Sequence, residues 1–577
     1  MTAMGSDRAG AEDAGGRHEV WLTRRPDATR APADSLTVAL CYPESYALGM
    51  SNLGFQTALQ SFSQHPHVHC ERAFLDAALP GADGFAPPHA GAAGDPGIVA
   101  ATARTQDTGT PISEFDVVAF SVSYEPDYMG LAKMLHEAGI PLRSSERGDD
   151  APVVVMGGVA ALLNPEPVAD LLDAVAVGDA TALAPALADS LLASRGSPRE
   201  RRMRLLAQVP GIYVPALYEP VYGADGGITG LDAASGAAVP VRAVWPARRG
   251  VAETCVLSDG SHFGDTYLIE VSRGCARRCR YCAAGHVYGP TTFHPAAEIS
   301  DRVSNVLKET GRVGLVSAAL ADHPEVRDVL SELGECGAEV TISSLHADRV
   351  DESLASLLVA AGVRTVTLAP ETGAERLRSV AGKPMTDRDL LAAASALGRA
   401  GVESLKLYFM VGLPWERDAD VDAIDTLARR MFEEFASGRL GARVSAGVSP
   451  FVPKPRTPFQ WLPMASEREL REKLSRVRRA LSAGRRIEVT ASGPREARRE
   501  GVLARGGREL SEAIVLHGVE NVPWKAAMRR SGVDPARIID RERGEDEVFP
   551  WDILEVGVPR QRLLTSLRRA RDQAVRP

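Results

Sequence analysis

The stretch IEVSRGCARRCRYC, residues 269–282, decides how the rest of the chain is interpreted. It places Cys275, Cys279 and Cys282 at Cys-x3-Cys-x2-Cys spacing, directly after an apolar run that predicts a β-strand. The other four cysteines stand singly along the chain, at Cys41, Cys70, Cys255 and Cys336. Three thiolates on one loop suit three irons of a 4Fe–4S cluster and leave the fourth iron open to another ligand. The spacing therefore predicts an iron–sulfur cluster with one free coordination position.

Zinc is the alternative metal for these cysteines. His286 follows Cys282 at a spacing that would complete a Cys3His site, and such a site would form a local knuckle. The segments downstream predict a barrel rather than a finger, which favours the cluster. A disulfide framework is disfavoured, because the chain is long, its cysteines are few and no secretory signal is evident.

The composition is that of a soluble globular protein. Of the 577 residues, 45 % are hydrophobic and 24 % are charged, and this length predicts two or three domains. No apolar run is long enough to cross a bilayer, and residues 1–34, which begin polar and rich in Gly and Ala, are expected to be disordered. The formal net charge of −9 gives no global attraction to nucleic acid. We expect a cytoplasmic protein, because thiols stay reduced in that compartment.

Residues 35–196 alternate between apolar strands and helices. The runs LTVALCYP (36–43), FDVVAFSV (115–122) and DAVAVG (173–178) predict buried strands, with helices between them. A Gly- and Pro-rich loop is expected at 80–97. This alternation predicts a parallel α/β sheet of Rossmann type.

Residues 264–482 repeat a strand-then-helix pattern six times. The six expected strands lie at 268–271, 313–317, 339–343, 365–369, 405–411 and 444–448. Six such units predict a partial (β/α)6, TIM-like barrel, in which reactive groups lie at the carboxyl ends of the strands. The cysteine motif falls at the end of the first strand, where that rule places chemistry. A connector at 197–263 is expected before the barrel, and a small, mostly helical extension at 483–577 after it.

The cysteine motif, with Tyr281 just before its last cysteine, resembles that of the radical S-adenosylmethionine (SAM) superfamily. Further stretches indicate the branch: YPESYALGMSNLGFQT, SVSYEPDY and GGVAALLNPEP in the N-terminal half, and LAPETGAERLR and KLYFMVGLP in the barrel. They resemble an uncharacterised subgroup of radical SAM proteins whose barrel is preceded by a cobalamin-binding-like Rossmann domain. Cobalamin proteins that supply a lower-axial histidine carry Asp-x-His-x-x-Gly after the first strand, and no such motif occurs here.

This resemblance implies an enzyme that uses a 4Fe–4S cluster to cleave SAM reductively. The resulting 5′-deoxyadenosyl radical would modify a substrate that the sequence does not identify, either by cobalamin-assisted methyl transfer or without a corrinoid. Without a corrinoid, the Rossmann domain would recognise the substrate. A flavodoxin or ferredoxin is the electron donor usual for such enzymes. A third hypothesis, from another class, is a non-catalytic zinc or iron–sulfur scaffold protein.

The resemblance also implies which residues bind the cofactors. The cluster ligands would be the three cysteines of the motif, Cys275, Cys279 and Cys282. Arg273 and Arg277 flank them, and positive charge near the sulfurs tunes the reduction potential of such clusters. The residues expected to hold SAM are Tyr281, Ser343, Glu371, Arg378 and Gly412.

Two further groups of residues are candidates for substrate contact. Lys406 and Tyr408 lie two apart on the fifth barrel strand, so they point the same way, and they are the candidate catalytic residues. In the Rossmann domain, ligands bind near the strand ends. The candidates there for a corrinoid or substrate surface are Tyr124, Glu125, Tyr128 and Asn164.

Overall fold

The chain forms two compact units. The computed structural model describes residues 11–12, 18–23, 34–75, 103–223, 227–437, 441–483 and 486–575. Unit 1 combines Met1–Asp265, Leu503–Pro535 and Asp546–Val556, and unit 2 combines Thr266–Val502, Ala536–Glu545 and Gly557–Pro577. The expected connector therefore falls within unit 1, and both units share the expected C-terminal extension. The loop expected at 80–97 lies outside the described residues.

A six-stranded sheet forms the centre of unit 1. Its strands, in spatial order, are Val68–Phe74, Leu36–Tyr42, Val117–Ser121, Val153–Gly157, Ala174–Ala176 and Ile212–Tyr213. The first five are parallel and the last is antiparallel, so the parallel strands follow the order 2-1-3-4-5. The strands Leu36–Tyr42, Val117–Ser121 and Val153–Gly157 are largely apolar, and Val38, Val118 and Val154 are fully buried. This is a doubly wound α/β sheet, as the strand and helix alternation predicts.

Helices and short strands complete unit 1. Its helices are Tyr46–Met50, Leu53–Ser63, Tyr128–Glu137, Val159–Leu163, Ala180–Ala193, Arg199–Leu206, Ser511–Gly518 and Trp524–Arg530. Its short strands pair as Tyr218–Tyr222 with Ile228–Ala233, Val241–Arg242 with Leu554–Glu555, and Ala11–Glu12 with His18–Trp21. Asn52 caps the second helix, because its side chain accepts a hydrogen bond from the backbone N of Phe55 at 3.0 Å.

Part of the N-terminal segment that was expected to be disordered is a strand. His18–Trp21 pairs antiparallel with Val256–Ser258. Glu19 accepts two hydrogen bonds from the buried guanidinium of Arg72, at 2.8 and 2.9 Å, and Trp21 is buried. The expectation of disorder over 1–34 does not hold for this strand, because four alternating residues are too short a signal to detect in a polar segment.

Among the described residues of unit 2, seven parallel strands form the barrel. They are Tyr267–Glu270, Arg312–Val316, Glu339–Ile342, Thr365–Glu371, Ser404–Val411, Arg443–Pro450 and Ile487–Ala491. The first three and the last four form two sheets, which a bridge between Leu345 and Leu368 joins. The six predicted strands are present, and a seventh, after an Arg-rich segment, extends the (β/α)6 pattern that the sequence predicts.

The barrel helices alternate with the strands along the chain. They are Ala296–Val306, Val326–Glu335, Glu352–Ala360, Glu375–Val380, Asp387–Ala400, Asp418–Ala436 and Glu467–Ser482, with Arg560–Ala574 near the end of the chain. Pro494–Arg505 and Pro535–Ile539 complete the set. Asp387–Ala400 shows how sequence sets the bounds: Thr386 and Asp389 form a capping box, and Gly401 ends the helix at φ +104°. None of the described helices is both long and apolar enough to span a membrane.

Candidate active site

The three cysteines lie on one loop, residues 274–282, which we call the cysteine loop. It follows the first barrel strand and the short strand Ser272–Arg273. Gly274 at φ +81° and Arg278 at φ +50° turn the backbone through left-handed conformations. A Cβ at Gly285 would lie 2.8 Å from the Cα of Arg278, so glycine is needed for the next turn to pack against the loop. The loop is therefore held compactly at the carboxyl end of the first strand.

All three thiols of the cysteine loop are free. Cys279 is buried, and Cys275 and Cys282 are half-buried. Burial raises the pKa of Cys279 to about 12; Lys383 opposes this shift, and Cys282 and Cys275 add to it. Because the thiols influence one another in this way, they are close neighbours. Metal ligation needs the thiolate form, so a cationic metal group is the natural partner of three adjacent thiols.

His286, the candidate fourth zinc ligand, bonds to the backbone. Its Nε2 donates to the carbonyl O of Cys279 at 3.1 Å, and burial lowers the pKa of the imidazole. In the part of the chain that the structure describes, no three His, Cys, Asp or Glu side chains converge as ligands of a single ion. A 4Fe–4S cluster does not need such convergence, because each cysteine binds a different iron.

Arg277 ties the cysteine loop to the next two strand ends. Its guanidinium donates to both carboxylate oxygens of Asp322, at 2.6 and 2.5 Å, and to Asp348 at 2.7 Å. These residues follow the second and third barrel strands. Burial works against the charge of Asp322, but the bonds from Arg277 lower its pKa overall. Arg273 is likewise paired, with Glu270 at 2.8 Å. Both flanking arginines are thus ion-paired, and Arg277 fixes the position of the loop.

A buried polar group lies beside the thiols. Lys383 is 7 % exposed, and its Nζ donates to Glu371 at 2.7 Å. Tyr281 lies close to the same carboxylate, and burial together with the charge of Glu371 raises the tyrosine pKa well above its ordinary value. Glu371 ends the fourth strand at φ +67°, where the strand register shifts. The charge of Lys383 opposes the rise that burial causes in the pKa of both Cys279 and Cys282, which places the ammonium near their sulfurs.

Lys383 is the residue of this group that sequence reasoning missed. It stands in the turn between the helices Glu375–Val380 and Asp387–Ala400. Gly382 before it has φ +75°, and a Cβ there would lie 3.1 Å from the Arg280 side chain. A lysine after a turn glycine was the available signal, although it does not by itself indicate a buried partner.

Three other predicted SAM residues have structural partners. The Arg378 guanidinium is fully buried and donates to the carbonyls of Thr372 and Met385 and to Asp387. Ser343 donates to the carbonyl of Ser317 at 2.6 Å. Gly412 has φ +83°, and a Cβ there would lie 2.6 Å from the Leu470 side chain. These contacts account for the three residues by packing and turn geometry.

Lys406 and Tyr408 lie on the less buried face of the fifth strand. Leu405, Leu407 and Phe409 alternate with them and are buried, whereas Tyr408 is 46 % exposed. Along the sheet, the residues in register with the exposed pair are Thr367, Ser445, Glu488, Gly447 and Thr490. We call this face, which also includes the exposed pair, the inner face of the barrel. It is polar, in contrast to the aliphatic opposite face.

Residues 269–428 match the radical SAM superfamily, and residues 88–215 match the N-terminal region of radical SAM proteins. The chain carries a radical SAM domain. The family implies a 4Fe–4S cluster and SAM as cofactors, and a reductant and a substrate as partners. The free thiols of the cysteine loop fit the cluster, and the Lys383–Glu371 pair beside them suits the charged carboxylate and amino groups of SAM.

Relatives of this radical SAM enzyme include an uncharacterized protein of Methanocaldococcus jannaschii, MJ0966. The two are 26 % identical over 411 residues, which cover 70 % of this chain and 80 % of the relative. Similar solved structures include that of the radical SAM methyltransferase TsrM from Kitasatospora setae. Its sequence is 13 % identical, the TM-score is 0.44, and the match covers 71 % of this chain and 73 % of TsrM. The cobalamin-dependent radical SAM enzyme OxsB is similar at 12 % identity and TM-score 0.42, over 71 % and 58 %.

In unit 1 of this radical SAM enzyme, the four residues predicted to form a corrinoid or substrate surface differ in exposure. Tyr124 is 45 % exposed, whereas Glu125, Tyr128 and Asn164 are buried. The Asn164 amide donates to the carbonyl of Ala504 at 3.0 Å and to that of Gly506 at 2.7 Å. Tyr128 donates to the Asn164 carbonyl at 2.8 Å. The turn Asn164-Pro165-Glu166-Pro167 (the NPEP turn) therefore binds a later segment of the same chain rather than lying open.

Arg508 extends this attachment within unit 1. It donates to Glu166 at 2.9 Å and to the hydroxyl of Tyr213 at 2.7 Å. Burial raises the pKa of Glu166, and Arg508 and Tyr213 oppose that shift. The segment after residue 503 is thus fixed to the sheet of unit 1 by a buried polar network, a contact that the sequence does not reveal.

The carboxyl edge of the unit 1 sheet is acidic. Burial raises the pKa of Asp127 well above its ordinary value, and the nearby charges of Glu44 and Glu125 raise it further. The first strand is followed by Pro43 and Glu44, not by a histidine. A Cβ at Gly130 would lie 2.1 Å from the carbonyl O of Pro43, so the adjacent helix packs directly on this loop.

Proposed function

We propose that this radical SAM enzyme binds SAM between the cysteine loop and the Tyr281–Glu371–Lys383 group, and holds its substrate against the inner face of the barrel. The observation that carries the proposal is the buried Lys383–Glu371 ion pair next to the thiols of Cys279 and Cys282. When bound, the cluster and SAM together supply a one-electron cleavage that yields a 5′-deoxyadenosyl radical. The chain's own part is to bind, orient and exclude water.

Each residue of the group has a role that its chemistry supports. The Lys383 ammonium is suited to pair with the carboxylate of SAM, and the Glu371 carboxylate to accept from its amino group or ribose. The Tyr281 hydroxyl, close to Glu371, is suited to donate to that carboxylate and so to orient it. Cys275, Cys279 and Cys282 are the proposed cluster ligands. The cluster would thus be held by the loop after the first strand, and SAM by Glu371 at the end of the fourth strand together with Lys383 from the turn between two helices.

The inner face of the barrel offers the substrate a polar surface. Lys406 is exposed between Thr367 and Ser445 in register, and Tyr408 lies beside Gly447. Hydroxyl and ammonium groups along one face favour a substrate with several hydrogen-bonding groups. Lys406 and Tyr408 are therefore proposed to contact substrate, and the substrate itself is proposed to be polar.

Anaerobic reconstitution tests the proposal. The protein is reconstituted with iron and sulfide, reduced with dithionite and supplied with SAM, and iron content and 5′-deoxyadenosine are measured. Cys279→Ala should lose cluster absorbance and at least about 10³-fold of deoxyadenosine formation, because three ligands are needed to hold the cluster. Cys336→Ala is the matched control, since Cys336 is exposed and lies outside the cysteine loop. Equal deoxyadenosine formation by Cys279→Ala, or zinc without iron in anaerobically purified protein, would favour a scaffold instead.

Corrinoid-assisted methyl transfer is the second candidate, and the 2-1-3-4-5 strand order of unit 1 supports it, because ligands bind at the carboxyl edge of such sheets. Three features of this edge disfavour the anionic tail of a corrinoid. The edge is acidic, its loop packs closely against Gly130, and no histidine follows the first strand among the described residues. Reconstitution with cobalamin separates the two. Bound corrinoid absorbance with a methylated product would establish methyl transfer, and an unbound corrinoid would leave unit 1 to recognise the substrate.

The reductant and the compartment complete the proposal. A flavodoxin or ferredoxin is the proposed electron donor, because the reductive step needs one electron at low potential. A cytoplasmic location is proposed because free thiols and an oxygen-sensitive cluster persist where thiols stay reduced.

A further inference from the structure

The helix Arg560–Ala574, which we call the C-terminal helix, lies directly behind the cysteine loop. Arg280 stands between Cys279 and Tyr281, and its guanidinium donates to Ser566 at 3.2 Å and to Gln573 at 2.6 Å. The C-terminal helix therefore packs against the loop that carries the proposed cluster ligands.

Two arginines lie on the same side of the C-terminal helix as these contacts. Arg562, Ser566, Arg569 and Gln573 follow one another at spacings of four, three and four residues, which place them on one stripe of an α-helix. Arg562 and Arg569 are exposed, and neither forms an ion pair with any residue that the structure describes. Arg569 lies on this stripe between Ser566 and Gln573, the two residues that accept hydrogen bonds from Arg280. The stripe therefore presents uncompensated positive charge beside the cysteine loop.

The remaining arginines of the helix have acidic partners. Arg568 pairs with Glu545, and Arg571 pairs with Glu542 and with Glu545. Asp572 is the single acidic residue of the C-terminal helix. The chain as a whole carries a net charge of −9, so the positive charge of this stripe is opposite in sign to the net charge of the protein. Charge of this kind steers partners of opposite sign rather than stabilising the fold.

We propose that Arg562 and Arg569 dock an acidic one-electron carrier protein that delivers the electron to the site on the cysteine loop. This inference rests on the proposed function, because only a redox site needs such a carrier. The carrier gives up one electron and the cofactor site accepts it, with no bond made or broken at the docking surface. Complementary charge at the edge of an interface mainly speeds association and sets its salt dependence.

The test uses the full chain, reconstituted anaerobically, and a flavodoxin as the acidic carrier. The variant is Arg562→Glu with Arg569→Glu. The matched control is Arg388→Glu with Arg478→Glu, because both arginines are exposed on other barrel helices and the change in net charge is the same. Flavodoxin binding is measured by calorimetry at low and high salt, and deoxyadenosine formation is measured with reduced flavodoxin and, separately, with dithionite.

The stripe variant should bind flavodoxin about tenfold more weakly at low salt, and the difference should shrink at about 0.5 M salt. Its deoxyadenosine formation should fall with flavodoxin and stay at the wild-type rate with dithionite. Unchanged binding, an equal loss in the control variant, or an equal loss with dithionite would overturn the docking proposal; the last result would assign the stripe to the fold or to a substrate such as nucleic acid. Wild-type protein that forms no deoxyadenosine with dithionite would contradict the proposed function itself, and the docking proposal with it.

Discussion

The carboxyl ends of parallel strands meet twice in this chain, and the two edges carry opposite chemistry. At the barrel edge, the cysteine loop brings thiols together with the cations Lys383 and Arg277. At the edge of the unit 1 sheet, Asp127 lies with other carboxylates, and burial raises its pKa. Parallel strands provide a place for a site in both units. The comparison teaches that the side chains, not the topology, decide which ligand each edge accepts.

The two edges also differ in what the chain itself places beside them. In unit 1 the segment after residue 503 bonds to Asn164 and Glu166 through Gly506 and Arg508. On the barrel, the inner face around Tyr408 stays exposed. We infer that the polar side chains at this edge of unit 1 stabilise the fold, whereas those on the inner face of the barrel are free to contact ligands. Changes in the two regions should therefore affect different measurements.

The largest expected effect is on the stability of unit 1. Arg508→Met removes the cation from Glu166, which is buried and also bonded to Tyr213, and should cost about 3–5 kcal/mol of unfolding free energy. Urea unfolding of the two proteins checks this. Arg530→Met is the control, because Arg530 is exposed in the same unit, and it should change the midpoint little. A double variant, Arg508→Met with Glu166→Gln, should recover part of the loss; no recovery would show that the pair is not coupled.

The next effect should appear in activity rather than stability. Lys383→Met removes the ammonium beside Glu371 and the cysteine thiols, and should lower deoxyadenosine formation about 100-fold, which equals roughly 2.7 kcal/mol. The loss should appear mainly as a raised KM for SAM, and Lys383→Arg should restore part of it. Cluster absorbance serves as the control for folding. If the KM for SAM stays unchanged while the cluster is lost, Lys383 has a structural role instead.

The sequence predicts some parts of these two regions and not others. The barrel strands and the cysteine loop could be predicted, because apolar periodicity and cysteine spacing are local signals. Lys383 could not, since its bond to Glu371 spans 12 residues and depends on a left-handed backbone at the strand end. Asn164 looked like a ligand residue in the NPEP turn, but its partner lies 340 residues further along the chain. Contacts at such separations depend on tertiary packing, which no motif records.

A third effect concerns pH and the cationic barrel edge. Burial, with the charges of Lys383 and Arg277, lowers the pKa of His346 to about 4. In the unfolded chain this histidine binds a proton near its ordinary pKa of about 6.5, whereas in the folded protein it stays neutral until about pH 4. The stability that neutral His346 contributes is therefore complete above about pH 6.5 and is lost as the pH falls toward 4. The group should therefore remove about 2 kcal/mol of stability between pH 7 and pH 5.

Unfolding midpoints at these pH values test that prediction. His346→Gln should flatten the fall in stability, and His67→Gln should not, because His67 is exposed in unit 1. A variant curve that runs parallel to the wild-type curve would assign the pH dependence to other groups.

The smallest expected effect is a difference in unfolding free energy between two glycine-to-alanine variants. One adds a methyl group to the inner face of the barrel, which is open, and the other adds it to a packed helix of unit 1. At Gly447 a Cβ would lie 2.9 Å from the ring of Tyr408, which is 46 % exposed and able to move, so Gly447→Ala should cost under about 1 kcal/mol. At Gly130 the Cβ would meet the Pro43 carbonyl at 2.1 Å, and backbone does not yield as easily, so Gly130→Ala should cost about 1–3 kcal/mol. Gly311→Ala, with no atom within 4 Å, is the control. Urea unfolding ranks the three variants, and a cost at Gly447 equal to that at Gly130 would mean that the inner face is packed rather than open to a substrate.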